Sequence, residues 1–510
     1  MTRLTTDLQA NIQKNQNRNI LMDLSRHLWF TGQDIEDDVA VLQKCFRASN
    51  LAGGDRVLMR LANSPVYIPI NQAMWRMGIT PHPVSASTPA RELLRQLDEL
   101  EYPALLVDQQ MADEIDLPGF QSFALNLKTM PDLVFFCKPG LAAGRSCEPT
   151  EESLGLILST SGTTGKPKQV GLTHAMMRAA AQYDKDSHRL TPDDTVLVVM
   201  PMFHINAQMI LTTSSLLAGG RIAIAPKFSA SRFWGWVHEA DASWSSIVPT
   251  IVMILLKNEN ALAAYKANPQ NRLRFIRCAS AMLPVARHKQ FLETYHVPLL
   301  EGYGMTESCS QCTLNPLDAI KIGSAGKPYH TEMAIFADGK YHEYGKESNV
   351  KGEICIKGHH VITHYLSGSQ KDFQNGWFHT GDLGYFDEDG YLWLEGRIKH
   401  LINRGGEKVS PIIVENVISE LPFVKAVAVV PTPDEFYGEV VTAAIVLDPR
   451  AGIDPQQARQ QIDEHCRKNL ASYRCPSKIF FVDQFPLNPT GKIKRPELAA
   501  ELVQLEKQGA

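Results

Sequence analysis

The stretch that most constrains this chain is a run of small, hydroxylated and basic residues at positions 159–168, with the sequence STSGTTGKPK. It directly follows the apolar run LGLIL at 154–158, which is typical of a buried strand. Glycines let backbone N–H groups turn inward, hydroxyls donate hydrogen bonds, and lysines neutralise negative charge. The stretch therefore predicts a phosphate-binding loop at the end of a strand.

This loop differs from a Walker loop, which has four residues between its glycines and a Ser or Thr after its Lys. Here two residues separate Gly162 from Gly165, and Pro167 follows Lys166. A plain surface loop rarely concentrates glycine, hydroxyl and lysine so densely. We therefore expect phosphate contacts from most of the loop, namely from Thr160, Ser161, Gly162, Thr163, Thr164, Gly165, Lys166 and Lys168.

The bulk composition indicates an ordinary globular protein of several structural units. At about 150 residues per domain, the 510 residues predict roughly two to four units. The net charge of −4 gives no indication of a nucleic-acid partner. The longest apolar run, at 247–256, is about half as long as a transmembrane helix, and the N-terminus lacks the apolar region of a secretory signal. We therefore expect a cytoplasmic protein without a transmembrane segment.

The nine cysteines are scattered and odd in number, which does not fit a disulfide framework. Cys309 and Cys312 form a CxxC pair. A zinc site would need a second such pair or two histidines at ligand spacing, and a redox role normally requires a βαβ context. We favour two ordinary buried thiols.

Strand-like and helix-like segments alternate along the chain up to about position 307, which predicts an α/β fold with doubly wound sheets. The segments at 275–283 and 299–307 each change from an apolar strand to a turn of small residues. A nucleotide pocket at the carboxyl ends of strands requires such turns. Short β-segments at 323–396 predict a β-barrel-like subdomain, and a smaller α+β unit follows position 397.

Further motifs, in order along the chain, resemble those of the adenylate-forming superfamily, which includes acyl-CoA synthetases, adenylation domains and luciferases. Besides the phosphate loop, they are YGMTE at 303–307, GWFHTGD at 376–382, GRIKHLINRGGEK at 396–408 and PTGKIKR at 489–495. The resemblance implies an N-terminal part, residues 1–397, that binds ATP and the acid. It also implies a small mobile C-terminal domain, residues 398–510, that carries the catalytic lysine.

By this resemblance, residues between 302 and 397 form the nucleotide site. Taken singly, each of them is of a type found more often in ordinary turns or as an exposed charge. The implied roles are cofactor binding for Gly302, adenine contact for Tyr303, an α-phosphate hydrogen bond for Thr306, Mg²⁺ binding for Glu307, ribose binding for Asp382, and ribose and phosphate contact for Arg397.

The resemblance also implies roles for residues of the C-terminal part. Lys399 occupies the hinge position between the two parts. Gly405 and Gly406 would line a narrow tunnel for the pantetheine arm of coenzyme A, where any side chain would block the way. Lys492 matches the catalytic lysine that bridges the substrate carboxylate and the α-phosphate. Arg495, close behind it, is expected to be a solvated tail charge.

The acid-binding residues give a weaker signal. His204, in the segment FHIN, resembles the family residue at the mouth of the acyl pocket, and we count it among the catalytic candidates. Amino-acid-activating members carry an Asp there, so we do not expect an α-amino acid as substrate. Ala279 and Ser280 stand where many relatives have an SGAAP-like segment with a Gly. The extra methyl of Ala279 argues against a bulky aromatic acid.

Together the motifs predict an ATP-dependent acid–thiol ligase. A carboxylate and Mg-ATP would give an acyl-adenylate and pyrophosphate, and coenzyme A would then give acyl-CoA and AMP. ATP, Mg²⁺ and coenzyme A are therefore the expected cofactors. An enzyme that loads a carrier-protein pantetheine has nearly the same site and stays open as an alternative. An inactive nucleotide-binding scaffold is a second alternative, against which the presence of Glu307 and Lys492 argues.

Replacing Lys492 by Ala tests the assignment of the catalytic lysine. We expect adenylate formation to fall by on the order of 10²–10³ in rate, because one preorganised charge contact is lost in the transition state. ATP binding should remain largely intact. The measurement is acid-dependent pyrophosphate exchange, and a rate within about threefold of the wild type would mean that Lys492 is not the bridging group.

Overall fold

The computed structural model of the protein describes residues 1–142, 144, 148–160, 168–487 and 493–508. The elements up to position 303 are α1 (Arg3–Lys14), β1 (Asn19–Asp23), β2 (Leu28–Thr31), α2 (Gly32–Ala48), β3 (Arg56–Arg60), α3 (Tyr67–Met77), β4 (Thr80–Val84), α4 (Ala90–Glu99), β5 (Ala104–Asp108), α5 (Gln109–Glu114), β6 (Gln121–Leu125), β7 (Leu133–Cys137), β8 (Leu154–Thr160), β9 (Lys168–Thr173), α6 (His174–Ser187), β10 (Thr195–Val198), a π-helix (Asn206–Thr213), α7 (Ser214–Ala218), β11 (Arg221–Ile224), α8 (Phe233–Glu239), β12 (Trp244–Ile247), α9 (Pro249–Lys257), α10 (Glu259–Ala267), β13 (Phe275–Cys278), α11 (Val285–Tyr295) and β14 (Leu299–Tyr303). The remaining elements are β15 (Thr313–Leu314), β16 (Lys327–Pro328), β17 (Glu332–Ala337), β18 (Lys340–Glu343), β19 (Gly352–Lys357), β20 (Phe373–Gln374), β21 (Trp377–Phe386), β22 (Leu392–Arg397), β23 (Ile402–Arg404), β24 (Glu407–Val409), α12 (Pro411–Ser419), β25 (Val424–Asp434), β26 (Gly438–Leu447), α13 (Pro455–Asn469), β27 (Lys478–Phe481) and α14 (Arg495–Lys507). Among the helices of these ranges, none is long and apolar enough to cross a membrane.

The largest sheet has nine strands in the order β16-β15-β14-β13-β12-β10-β11-β1-β2. Six successive strands in it, from β14 to β1, run parallel. Central strands such as β10, β12 and β13 are buried along their whole length, as in sheets that helices cover on both faces. With a second sheet in the order β4-β3-β5-β7-β6, this architecture confirms the expected doubly wound α/β fold.

Two further sheets follow along the chain. Strands β17 to β22 form an antiparallel six-stranded sheet, which is the expected β-rich subdomain. Strands β23 to β27 form the last sheet, with helices α12, α13 and α14. The last sheet has a hydrophobic cluster of its own, which includes Ile402, Val414, Ile462 and Ile479. The expected α+β unit is therefore present, while its boundary at position 397 stays a prediction.

The expectation that Arg495 is a solvated charge is wrong. Its guanidinium pairs with Glu415 of α12 at 2.7 Å and donates to the carbonyl oxygen of Val429 in β25 at 2.6 Å. The sequence suggested exposure because the residue lies near the end of the chain. In the structure, α14 begins at this residue and packs its Leu498 and Leu502 on the sheet, which brings the charge beside Glu415.

Two polar contacts attach the C-terminal α+β unit to helices of the larger part. Arg287 of α11 donates to the carbonyl oxygen of Val424 at 2.5 Å. Lys257, the last residue of α9, pairs with Asp448 at 3.2 Å, and both side chains are largely buried. Burial lowers the pKa of Lys257 to about 8, although the hydrogen bond that Lys257 donates to Asp448 opposes this effect. The ion pair therefore recovers only part of the desolvation free energy of the lysine.

Replacing Lys257 by Met should loosen this attachment while keeping the apolar stem of the side chain. A hydrogen bond to a charged group is worth about 1.5–3 kcal/mol, and the lower end applies to a partly desolvated pair. We expect amide hydrogen exchange around residues 398–401 and 423–424 to accelerate by roughly tenfold. Lys266→Met on the exposed face of α10 is the matched control. Unchanged exchange at 423–424 would show that the contact does not hold the two units together.

Candidate active site

The carboxylate of Asp382 is the meeting point of three predicted site residues. The hydroxyl of Tyr303, at the end of β14, donates to Asp382 Oδ2 at 2.8 Å. Arg397 Nε donates to Asp382 Oδ1 at 2.5 Å, and the two residues face each other across β21 and β22. Partial desolvation lowers the pKa of Arg397, but the charge and hydrogen bonding of Asp382, with smaller contributions from Tyr303 and Glu307, outweigh it, so the net change is upward. The structure thus brings these three residues together, as the sequence predicts.

A second group lies around Tyr365, which the sequence analysis did not single out. Its hydroxyl donates to Glu307 Oε1 at 3.0 Å, and Lys168 Nζ lies 4.2 Å above the centre of its ring. Lys168 also pairs with Asp372 at 2.5 Å. Burial raises the pKa of Glu307, and the hydrogen bond from Tyr365 partly offsets that rise. Tyr365 and Asp372 lie between two motifs, and no local pattern marks either of them.

A tight reversal after β14 sets the positions of Thr306 and Glu307. Both residues belong to a one-turn 3₁₀-helix, Thr306–Ser308, and the two residues after it have positive φ angles. A Cβ on Gly304 would lie 1.8 Å from the carbonyl oxygen of Ser310, so only glycine fits there. The neighbouring Cys309 and Cys312 are buried free thiols, which agrees with the favoured interpretation of the CxxC pair.

The phosphate loop joins two antiparallel strands, β8 and β9, in which Thr160 pairs with Lys168. Thr160 ends β8, and its hydroxyl donates to the backbone oxygen of Lys168 at 3.5 Å. The other predicted loop residues lie outside the described residues; they are Ser161, Gly162, Thr163, Thr164, Gly165 and Lys166. The catalytic candidate Lys492 also lies outside them. Thr160 and Lys168 therefore flank the loop in two paired strands.

The acid-pocket candidates follow two parallel strands of the large sheet, β10 and β13. His204 comes after β10 and accepts a hydrogen bond at Nδ1 from the backbone of Asn206 at 3.4 Å. Ala279 and Ser280 come after β13, and only β12 lies between these two strands. Ala279 is buried, and Ser280 has a φ of 74°, which is unusual for a residue with a side chain. The predicted pocket segments therefore both lie at the carboxyl ends of central strands of the sheet. The buried π-helix Asn206–Thr213 begins two residues after His204, and such helices are frequent at functional sites.

The predicted tunnel glycines form the turn between β23 and β24. The amide of Gly405 donates to the carbonyl oxygen of Tyr437 at 2.9 Å, and a Cβ on Gly405 would lie 3.0 Å from the Tyr437 ring. Gly406 has a φ of 97°, which favours glycine. Lys399 lies in a one-turn 3₁₀-helix, Ile398–His400, directly after β22. The hinge candidate is thus placed at the junction between the last two sheets.

A buried cluster of Glu353, Cys355 and His379 supports the strand that carries Asp382. Its potential ligand atoms lie within 4.8 Å of one another, and His379 Nδ1 is 2.8 Å from Glu353 Oε2. The other oxygen of Glu353 accepts from the backbone N–H of Gly381 at 2.9 Å. The histidine and the carboxylate satisfy each other, so the cluster positions the turn before Asp382. A charged residue inside the apolar strand EICIK was the one sequence signal for it.

Comparison with known proteins identifies the family. The model of the AMP-binding enzyme family matches residues 8–366, and that of the AMP-binding enzyme C-terminal domain matches residues 413–492. The chain belongs to the AMP-binding enzyme family. A relative from Humulus lupulus named as a probable CoA ligase is 35% identical, with 91% of this chain and 89% of the relative covered. The oxalate–CoA ligase of Arabidopsis thaliana is 35% identical, with 88% and 89% covered.

Among solved structures, the anthranilate CoA ligase in complex with anthranoyl-AMP has a TM-score of 0.85 at 22% identity. The alignment covers 98% of this chain and 96% of that one, and at this identity the likeness concerns the fold alone. The predicted superfamily, the α/β fold and the class of AMP-forming ligases are therefore confirmed. The roles of individual residues stay predictions.

Replacing Gly304 by Ala tests whether the reversal after β14 is fixed by the backbone. The added methyl would meet the carbonyl oxygen of Ser310, which cannot move away as a flexible side chain could. We expect a loss of about 3 kcal/mol in the free energy of unfolding, measured by denaturant titration. The control is Gly235→Ala in α8, where a methyl meets nothing within 4 Å and should stabilise the helix by about 0.5–1 kcal/mol. Equal stability of the two variants would contradict the assignment.

Proposed function

We propose that this chain activates a carboxylic acid with Mg-ATP as an acyl-adenylate and transfers the acyl group to coenzyme A, releasing AMP and pyrophosphate. The observation that carries the proposal is the convergence of Tyr303, Asp382 and Arg397 beside Glu307 and Lys168. One site then contains a carboxylate that can bind the ribose hydroxyls, Asp382, and a carboxylate that can bind a metal ion, Glu307. It also contains two cations that can bind phosphates, Arg397 and Lys168. The names of the two curated relatives support the ligase chemistry.

In the proposed nucleotide complex, Asp382 exchanges part of its present hydrogen bonding for the ribose hydroxyls, which donate as Tyr303 does now. Arg397 can stay bound to Asp382 and direct its remaining N–H groups to the phosphates. Thr306, at the start of its 3₁₀-turn, is our candidate donor to the α-phosphate. Each of these groups is held by the fold before the nucleotide arrives, which limits the reorganisation that binding requires.

Glu307 suits a magnesium ion. It is a carboxylate with Oε1 held by a single donor, Tyr365, and Mg²⁺ bound to nucleotides takes one or two carboxylates together with phosphate oxygens. When bound, the ion would neutralise charge on the phosphates. The residues of the chain then orient the acid so that its oxygen attacks the α-phosphorus and pyrophosphate leaves.

The second half-reaction needs a thiol at the same carbonyl carbon. Its sulfur attacks the acyl carbon, and AMP leaves with the bonding electron pair. The proposed tunnel residues Gly405 and Gly406 and the candidate lysine Lys492 belong to one C-terminal unit, so one orientation cannot readily serve both steps. We therefore propose a rotation about Lys399, during which the contacts of Lys257 and Arg287 with that unit break.

One experiment decides between this function and its alternatives. The purified chain is incubated with ATP and a panel of acids, together with either free coenzyme A or a pantetheinylated carrier protein. We expect AMP and acyl-CoA with free coenzyme A. Acyl transfer to the carrier alone would favour the loading enzyme, and absence of AMP and pyrophosphate with every acid would favour the inactive scaffold. The relatives' names leave the acid open, since oxalate is a short diacid and anthranilate is an aryl acid.

Replacing Tyr365 by Phe tests the proposed role of Glu307 in magnesium binding. Burial raises the pKa of Glu307, and the Tyr365 hydroxyl opposes this by stabilising the carboxylate. Without the hydroxyl the pKa rises further, so protonation competes with Mg²⁺ at higher pH. We expect the acid limb of Mg-ATP affinity, measured by calorimetry, to move to higher pH, while the retained ring still lies under Lys168. Tyr385→Phe on β21 is the control, and a limb that stays in place would exclude this role of Glu307.

A further inference from the structure

Arg277 is a buried cation without an ion-pair partner in the described part of the chain. It lies on β13 in the large sheet and is 1% exposed. Its Nη1 lies 3.4 Å from the hydroxyl of Ser246, which is a long hydrogen bond, and its Nε is buried without a partner. Arginines are almost never buried in this way unless they are paired, because the desolvation penalty of a charge is large.

The carboxyl group of Asp184 on α6 does not compensate this charge. Both its oxygens are buried without a hydrogen-bond partner, and no ion pair joins them to Arg277 among the described residues. Burial raises the pKa of Asp184 to about 8, even though Arg277 opposes the rise. Burial lowers the pKa of Arg277 only to about 10, so the guanidinium keeps its charge.

The surroundings of Arg277 connect it to the predicted acid pocket. Ser246 on β12 accepts a hydrogen bond from Asn206 Nδ2 at 3.1 Å, and the backbone N–H of Asn206 donates to His204 at 3.4 Å. Asn206 Oδ1 is buried without a partner. On its other side, Arg277 Nη2 lies 3.4 Å from where a Cβ of Gly302 would be. The guanidinium therefore lies between the segment of His204 and the predicted nucleotide strand.

We propose that Arg277, with Ser246 and Asn206, binds a second anionic group of the acid, so that the substrates are short acids with two anionic groups. This inference rests on the proposed function, because it names the acid that the ligase activates. The guanidinium of Arg277, the hydroxyl of Ser246 and the side-chain amide of Asn206 can each donate a hydrogen bond to a carboxylate or sulfonate. Only Ser246 and Asn206 separate Arg277 from His204 in the hydrogen-bonded chain, which limits the length of the acid.

The test compares diacids with their monoamides, which keep the shape and lack one charge. We would measure kcat/KM for AMP release by the full chain with oxalate, malonate and succinate, and with oxamate, malonamate and succinamate. With the best diacid, the kcat/KM of the wild type should be roughly 30-fold or more above its kcat/KM with the corresponding monoamide. Removing one partner of a buried charge pair has at least that effect. Arg277→Met should lose most of this preference through a lower diacid rate, with the monoamide rate changed by less than about threefold.

Two further variants make the comparison sharp. Arg274→Met removes an arginine of the same segment that pairs with Asp194 at 2.9 Å, and it should leave the preference unchanged. Arg277→Lys keeps a positive charge but loses the bidentate guanidinium, so its preference for the diacid over the monoamide should be intermediate. If the Met variant fails to fold, the Lys variant provides the test. A wild type that prefers monoamides, or an Arg277 variant that keeps the full diacid preference, overturns the inference. Diacid-dependent pyrophosphate release without any acyl-CoA would instead overturn the proposed function and leave the role of Arg277 standing.

Discussion

The rest of the site depends on the hydrogen bonds that the carboxylate of Asp382 accepts from Tyr303 and Arg397. This carboxylate joins the end of the large sheet, through Tyr303, to the β-rich sheet that carries Asp382 itself and to Arg397, the last residue before the junction. These three elements come from distant parts of the chain, so their relative position is fixed only when the carboxylate is correctly placed. Glu353 contributes to that placement by accepting from the backbone of Gly381. A substitution of Glu353 would therefore act on the proposed nucleotide site without touching the nucleotide.

The sequence predicted the parts of this protein that are encoded locally. Glycine-rich turns after apolar strands, such as those at Gly304 and Gly405, follow from spacing and residue type, and the alternation of strand and helix indicated the sheet class. Tyr365 and Arg277 were missed because their significance lies in contacts with residues far along the chain. Arg495 was placed wrongly for the same reason, since its partner Glu415 is 80 positions away. Local patterns cannot report such pairings.

Buried polar groups with unpartnered atoms occur at several places in the structure, including α6, the residue that follows it, and β13 of the large sheet. Asp184, His188 and Arg277 all have buried side-chain atoms without a partner among the described residues. Each such group lowers the stability of the fold, by about 1–3 kcal/mol for a lost hydrogen bond. Apolar residues of similar volume would pack there at lower free energy. The position of Arg277 in the sheet that also carries the proposed acid-pocket segments is therefore more consistent with ligand recognition than with stability.

The cations near the junction extend the same reasoning to the nucleotide. Burial lowers the pKa of Lys399, and the charge of Arg397 lowers it further, with a smaller contribution from Lys168. The charge of Asp382 opposes this lowering of the pKa, but Asp382 already binds Arg397. Bringing these cations together therefore raises the free energy of the ligand-free state. A polyphosphate that binds between them removes the repulsion, and by linkage it stabilises the arrangement in which they converge. The hinge candidate thus lies beside the cations that we expect to contact the nucleotide phosphates.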